Sequence, residues 1–285
     1  MSAILLGCGL LSIGVTVAII VILAWESWGF FQEVSPLEFA FGTRWSPILE
    51  PRSFGVLPLV CGTFLVAAGA LVVAVPIGLG AALYLSEYAP SSLRAVAKPV
   101  LEILAGVPTV VFGYFALTFI TPYVLRPLVP QTEVFNALSG ALVVGIMIVP
   151  TICSLCDDAF RSVPRSLREA SFALAATRME TSLRVVLPAA FSGVVASVLL
   201  GLGRAVGETM AVTLAAGMTP KLTLNPLVSI QTMTSYIVQV CFGDTPAGST
   251  VYQTIFGVGM MLFLITLLIN VIAQRVMRRF REAYD

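Results

Sequence analysis

The sequence contains no histidine, and only 11% of its 285 residues are charged. Without histidine the chain lacks a common metal ligand, the base of a Ser-His-Asp triad and the side chain that most often carries protons near neutral pH. A soluble domain carries about 25% charged residues, so we expect lipid rather than water to surround much of this chain. Its net charge of +1 argues against nucleic acid as a partner, because phosphate contacts require a dense basic surface.

Cysteine is also sparse, with five residues in all. Four of them, Cys8, Cys61, Cys153 and Cys156, lie in apolar runs and are interpreted as small buried side chains. Cys153 and Cys156 have the spacing of half a zinc site, but the sequence has no second half, so we predict no metal site. A structural disulfide is not expected, because Cys241 is the one cysteine in a predicted outside loop.

Long apolar runs are what the sequence does have. Six of them, each about 20 residues or longer, can cross the roughly 30 Å hydrocarbon core of a bilayer. Lipid offers the backbone no hydrogen-bond partner, so each run must be helical. The runs cover residues 3–24, 57–84, 100–124, 136–156, 189–216 and 251–273. The predicted fold class is an all-α integral membrane protein with six transmembrane helices. The first run is interpreted as a retained span rather than a cleaved signal, and its missing basic flank leaves open a natural start upstream of Met1.

The positive residues set the predicted orientation. Eleven Lys and Arg residues fall after the second span, after the fourth span and in the tail, against four in the alternate loops. This partition predicts that both termini are cytoplasmic. Three acidic residues at inner ends of spans, Glu87, Asp157 and Asp158, are then expected to be solvated.

Three tryptophans, Trp25, Trp28 and Trp45, lie in the first predicted outside loop. Aromatic side chains commonly anchor a protein at the membrane surface, and we interpret these three in that way. A docking role for the loop is the alternative, although no motif supports it.

The predicted inside segment 157–188 contains a second kind of pattern. Ser166 followed three residues later by Glu169 predicts a capping box, and residues 167–177 predict a short helix with small side chains. A second amphipathic stretch follows. Such a helix either enters a groove on another protein or forms a solvated linker, and composition alone favours the linker.

Arg204 and Glu208 lie four residues apart in the fifth span, so a continuous helix would place them on one face. Counting about 1.5 Å per residue puts Arg204 roughly 20 Å into the membrane, where an unpaired charge costs several kcal/mol. Gly203 and Gly207 add a small face that another helix could approach closely. Three interpretations remain: a self-neutralising structural pair, a substrate or gate site on a translocation path, and an intramembrane enzyme site.

The chemistry of the pair favours an oxyanion on such a path. A guanidinium matches phosphate oxygens with two parallel hydrogen bonds and stays charged. Hydrogen phosphate also carries an O–H that the Glu208 carboxylate can accept, whereas sulfate at neutral pH carries none. We therefore predict Arg204, Glu208 and Thr209 as residues of a substrate path.

The inside segment resembles a known motif. Glu169-Ala170-Ser171, then Ala175, then Val185-x-Leu187-Pro188 match the spacing of the coupling motif of ABC importer permeases. The chain has Ser171, Ala175 and Val185 where that motif has Ala, Gly and Ile. In that family the segment is the coupling helix, which sits in a cleft of the cytoplasmic ATPase. The resemblance thus favours a docking helix over a solvated linker. It implies that this chain couples to an ATPase through Glu169, Ala170, Ser171, Ala175, Leu187 and Pro188.

The run from Gly203 to Val212 resembles the signature of phosphate ABC importer permeases of the PstC type, and the stretches 84–88 and 102–108 are similar to others of that family. The resemblance covers roughly residues 41–275 and implies the type I ABC importer (MetI-like) permease fold. It also implies a second permease subunit of the PstA type, a cytoplasmic ATPase dimer that binds ATP and Mg, and an extracytoplasmic phosphate-binding protein. No cofactor is implied for this chain.

These interpretations divide the chain into a first helix with its outside loop (1–55), a permease domain (56–275) with the coupling loop 157–188, and a basic cytoplasmic tail (276–285). The resemblance implies a non-enzymatic permease subunit of an ATP-driven phosphate importer in the bacterial inner membrane. The sequence lacks a G-x-x-x-x-G-K-[ST] segment, so the ATP site would lie on a separate chain. The alternatives are a permease for another oxyanion, such as sulfate or molybdate, and a phosphate-conducting channel.

Overall fold

The computed structural model describes residues 2–246 and 248–280, with side chains described over 5–246 and 248–277. The predicted upstream start and the end of the basic tail lie outside these residues. Five described helices are long and apolar enough to cross a membrane. Two consecutive segments, Arg178–Ala189 and Phe191–Gly207, meet at an angle of 71° and together would make a sixth span. The all-helical membrane fold expected from the sequence is confirmed.

The helices follow one another with short connections. In the first half they are α1 (Ser2–Glu33), α2 (Pro36–Phe41), α3 (Leu57–Glu87), α4 (Ser91–Ala105), α5 (Thr109–Phe115), a π-helical stretch (Ala116–Leu125) and α6 (Arg126–Leu128). In the second half they are α7 (Ala137–Ser162), α8 (Arg165–Ala173), α9 (Arg178–Thr181), a second π-helical stretch (Ser182–Val186), α10 (Leu187–Ala189), α11 (Phe191–Gly207), α12 (Met210–Ala216), α13 (Met233–Cys241) and α14 (Thr250–Phe280). Strands β1 (Trp45–Ser46) and β2 (Ser53–Phe54) pair antiparallel.

The third predicted span, 100–124, has the wrong start. Gly106 ends α4, and Pro108 precedes α5, so residues 100–105 belong to a separate amphipathic helix. The span itself runs over Thr109–Leu128. Pro122 has no N–H for a regular α-helical ladder, and the stretch around it is wound as a π-helix.

Small residues bring α3 and α7 together over their length. A Cβ added at Gly145 would lie 3.0 Å from the Ala70 carbonyl oxygen, and one added at Gly78 would lie 2.9 Å from Ile152. Lipid tails are as apolar as the helix surfaces, so no hydrophobic effect drives helices together inside a membrane. Close van der Waals packing at small residues stabilises the helix pair instead. The α3–α7 pair is therefore the centre of the fold. Cys153 and Cys156 of α7 are buried there as predicted, whereas Cys8 on α1 is exposed.

The loop that follows α1 folds back onto the protein. Trp45 is buried, and its ring packs edge-to-face on Tyr236 of α13 at a centroid distance of 4.8 Å. The anchoring interpretation is therefore wrong for Trp45, because α2 and the β1–β2 hairpin turn this indole inward. Trp25 and Trp28 lie on α1 rather than in the predicted loop, because the helix continues to Glu33. Both are exposed, as an anchoring role requires.

Candidate functional site

The fifth predicted span is not one helix. The segment α11 ends at Gly207, Glu208 has extended backbone angles (φ −67°, ψ 133°), and α12 begins at Met210. The prediction that Arg204 and Glu208 share a helix face is therefore wrong. The two residues flank a break, and the four-residue rule applies only to an unbroken helix.

Glu208 is buried, and its hydrogen bonds stabilise the break. Its Oε1 accepts a hydrogen bond from the backbone N–H of Ala211 at 3.1 Å, which satisfies one of the unpaired N–H groups in the first turn of α12. The Glu208 carbonyl accepts a hydrogen bond from the Thr234 hydroxyl at 2.7 Å. Although the structure describes both side chains, it places no ion pair between Arg204 and Glu208.

Arg204 contacts a different helix. Its Nη1 donates to the hydroxyl of Thr151 on α7 at 2.9 Å, and this is the one described hydrogen bond of its five N–H donors. Thr151 lines a cavity of about 240 Å³ between α4 and α7, together with Glu102, Pro150 and Ser154. The guanidinium is thus held by one contact and keeps most of its donors for another acceptor.

Thr209 is partly buried, and its hydroxyl donates to the backbone of Gly207 at 3.1 Å. Such bonds to the local backbone are common for Thr side chains. Its place on a path stays a prediction.

Gly203 and Gly207 are not used for packing within the described part of the chain. A Cβ added at either position would meet no described atom within 4 Å. By contrast, Gly113 lies against Ala211 and Gly201 lies against Ile152. The small face on α11 is therefore open.

The segment predicted to couple to an ATPase folds as short helices. Pro164, rather than Ser166, lies at the N-cap of α8, so the capping box predicted for Ser166 and Glu169 is wrong. A capping box forms instead at the next helix, where the Thr177 hydroxyl accepts from the Glu180 N–H and the Glu180 carboxylate accepts from the Thr177 N–H.

Two of the departures from the family motif have structural consequences. Ser171 forms a buried hydroxyl–hydroxyl hydrogen bond with Thr181 at 2.9 Å, which joins α8 to α9. Ala175 adopts a left-handed conformation with φ 59°, which glycine adopts without cost. Glu169 and Ala170 are exposed on α8, whereas Leu187 packs against the core and Pro188 lies in the first turn of α10.

The acidic residues at the predicted inner ends of the spans are all paired. The expectation of solvated carboxylates is wrong for Asp157 and Glu87, whose side chains are largely buried, whereas Asp158 is exposed as expected. Asp157, which is buried, pairs with Arg94, and Lys98 pairs with Asp158 at 3.0 Å. Both pairs join α4 to α7. A third pair, between Arg168 on α8 and Glu87 at the end of α3, has an N–O distance of 2.9 Å. Sequence reasoning missed these pairs and the Thr151 contact, because their partners lie far apart in the chain.

Known proteins are similar to this chain over most of its length. The family model described as "Binding-protein-dependent transport system inner membrane component" matches residues 74–282. The probable ABC transporter permease protein YqgH of Bacillus subtilis is 37% identical over 274 residues, which cover 94% of this chain and 88% of that protein. The phosphate transport system permease protein PstC 1 of Mycobacterium tuberculosis is 35% identical over 277 residues, covering 85% of this chain and 82% of that protein.

Solved structures show the same fold. An inward-facing structure of the MetNI methionine ABC transporter aligns with a TM-score of 0.58 at 21% identity, covering 80% of this chain and 95% of that chain. A bacterial ABC transporter involved in alginate import aligns with a TM-score of 0.52 at 14% identity, covering 94% of this chain and 96% of that chain. The fold and the sequence relatives agree with the resemblance drawn from the motifs: this chain belongs to the family of inner membrane permease components of binding-protein-dependent ABC transport systems.

Proposed function

We propose that this chain is the PstC-type permease subunit of an ATP-driven importer of inorganic phosphate, and that it forms half of the translocation path. The observation that carries the proposal is Arg204, a guanidinium in the last turn of α11 with one described hydrogen bond. Charged side chains within membrane spans are rare and mark ion or substrate pathways. Relatives named as phosphate transport permeases, at 32% and 35% identity, support phosphate as the transported oxyanion.

In this proposal the path prefers phosphate over an anion without a proton. The free N–H donors of Arg204 match the oxygens of a tetrahedral oxyanion. Glu208 uses Oε1 for the Ala211 N–H, and its Oε2 accepts no described hydrogen bond, so an acceptor remains for the O–H of hydrogen phosphate. Glu208 therefore both stabilises the break and favours a protonated oxyanion over sulfate.

The ATPase would dock on the α8–α9 segment. Its described surface exposes three large apolar side chains on otherwise polar helices: Phe172, Leu174 and Met179. Exposed apolar groups of this kind mark interaction sites. With both termini in the cytoplasm, as the positive residues predict, this surface faces a cytoplasmic ATPase dimer that binds ATP and Mg.

The second permease subunit would pack on the open face of α11. Gly203 and Gly207 leave room for close approach of another helix, and they flank Arg204 in sequence. A PstA-type subunit that contributes its own arginine would complete a shared path. The extracytoplasmic phosphate-binding protein would then deliver phosphate to the outer mouth between the two subunits.

Uptake of labelled phosphate by proteoliposomes that contain the complete complex tests this function. We expect uptake to require ATP and the binding protein, and to be inhibited by arsenate but not by sulfate. Uptake without ATP would indicate a channel, and inhibition by sulfate or molybdate with weak phosphate uptake would indicate another oxyanion. Either result would contradict the proposal.

A further inference from the structure

Arg168 on α8 makes four hydrogen bonds to groups outside its own helix. Its Nη2 donates to Glu87 Oε1 at 2.9 Å and to the Phe160 carbonyl at 2.7 Å. Its Nη1 donates to the Val163 carbonyl at 2.6 Å, and its Nε donates to Glu87 Oε2 at 3.4 Å. The guanidinium is therefore almost fully used, unlike that of Arg204.

The acceptors belong to the ends of two other helices. Glu87 is the last residue of α3, Phe160 lies in the last turn of α7, and Val163 follows the end of α7. The last carbonyls of a helix lack partners within it and carry the negative end of the helix dipole. A carboxylate beside two such carbonyls forms a strong site for a cation, and Arg168 fills it.

The contact is largely removed from water. The Arg168 and Glu87 side chains are 17% and 12% exposed, so salt screens their attraction less than that of surface pairs. The planar fork of arginine reaches acceptors on both sides at once, whereas the single ammonium of lysine cannot. The geometry of the site therefore depends on the guanidinium and not on positive charge alone.

We propose that Arg168 is a positioning residue that ties the motion of α8 to the inner ends of α3 and α7. This inference rests on the proposed function, in which an ATPase docks on the α8–α9 segment. Because α3 and α7 are the central packed pair, a displacement of α8 moves both together. The helix α7 also carries Thr151, which holds Arg204, so the contact connects the docking segment with the proposed substrate path through one continuous helix.

One of the other two ion pairs at this end of the protein provides a control. Lys98 and Asp158 join α4 to α7 and do not involve α8. The Asp158→Asn variant thus removes a carboxylate at the same end of the protein without releasing the docking segment. Glu87→Gln keeps the size of the side chain but removes its charge, and Arg168→Lys keeps the charge but removes the fork.

The test measures phosphate transported per ATP hydrolysed in proteoliposomes that contain the complete complex, normalised to assembled complex. We expect Arg168→Lys and Glu87→Gln to lower this ratio by at least about fivefold, since each leaves polar groups of the contact unpaired, while Asp158→Asn stays within about twofold of wild type. An unchanged ratio in assembled Arg168→Lys and Glu87→Gln complexes would overturn the inference, and so would a loss of assembly alone.

A second readout separates this inference from the proposed function. Spin labels on exposed Ser166 of α8 and on Tyr88, which follows α3, report the distance between the two helices with and without ATP. We expect one narrow distance distribution in the wild-type complex in both states, and a broader, ATP-dependent one in Arg168→Lys. If the wild-type complex transports no phosphate, the proposed function fails, but the distance measurement still tests the role of Arg168. Distance distributions of equal width in the wild-type and Arg168→Lys complexes would overturn that role.

Discussion

Arg204 donates a hydrogen bond from Nη1 to the hydroxyl of Thr151 at 2.9 Å, which joins the last turn of α11 to α7. This contact, rather than an ion pair with Glu208, orients the guanidinium that the sequence places near the middle of the fifth span. Arg204 is therefore oriented by a neutral hydroxyl and keeps its positive charge uncompensated by a direct ion pair within the described residues. An anionic substrate can supply that compensation.

Removal of the Thr151 hydroxyl should weaken substrate binding without preventing assembly. A hydrogen bond to a charged group contributes about 1.5–3 kcal/mol, so we expect Thr151→Val to raise the KM for phosphate uptake by about tenfold. The control is Thr118→Val, because the Thr118 hydroxyl donates to the backbone of its own helix at Tyr114. Equal KM values for the two variants would show that Thr151 does not position Arg204.

The Glu208 side chain should matter for stability as well as for transport. Glu208→Ala leaves the Ala211 N–H without its acceptor, and a lost capping interaction costs about 0.5–2 kcal/mol. Glu208→Gln keeps an oxygen for this N–H and should retain most of the stability. The measurement is thermal unfolding of the purified complex, monitored by size-exclusion chromatography after heating, for the Ala and Gln variants. A Gln variant that is as unstable as the Ala variant would contradict the capping role.

Replacement of Ala175 by glycine should stabilise the segment between α8 and α9. A left-handed conformation costs an L-residue about 1–2 kcal/mol, and glycine removes this strain at the expense of some unfolded-state entropy. We therefore expect Ala175→Gly to slow limited proteolysis of this segment. The matched control is Ala173→Gly within α8, where glycine costs up to about 1 kcal/mol and should speed cleavage. Faster cleavage of Ala175→Gly than of Ala173→Gly would contradict the proposed strain at Ala175.

Substitution of Gly203 should separate subunit association from folding. Because the space beside Gly203 is open in this chain, we expect Gly203→Leu to fold and enter the membrane but to co-purify poorly with the second permease subunit. Gly193 lies against Ala159, where an added Cβ would be 2.5 Å from the Ala159 Cβ, so Gly193→Leu should lower the amount of folded chain itself. Normal co-purification of Gly203→Leu would exclude α11 from the interface.

Most of the fold could be predicted because lipid imposes simple requirements on a sequence. A spanning segment must be long, apolar and helical, and that pattern predicted the four long helices α1, α3, α7 and α14 close to their observed places. The pattern of small side chains over residues 167–177 likewise predicted a short helix, which is observed as α8. Local composition and spacing were enough in these cases.

The interruptions and the long-range contacts could not be predicted in the same way. The break at Glu208 has no proline to mark it and depends on hydrogen bonds to Ala211 and Thr234. The pairing of Arg168 with Glu87 spans 81 residues, and periodicity carries no information on such distant partners. The inward position of Trp45 likewise depends on the packing of α13, which no local pattern specifies.

The most direct test of the central claim is ATP-driven uptake of labelled phosphate by complexes that carry Arg204→Ala, compared with wild type at equal assembly. Two charge-assisted hydrogen bonds to phosphate contribute about 3 kcal/mol or more, so we expect the rate at limiting phosphate to fall by about 100-fold or more. The control variant Arg275→Ala, at an exposed position of α14, should transport normally. Uptake by Arg204→Ala within about twofold of wild type would show that Arg204 does not bind the transported anion.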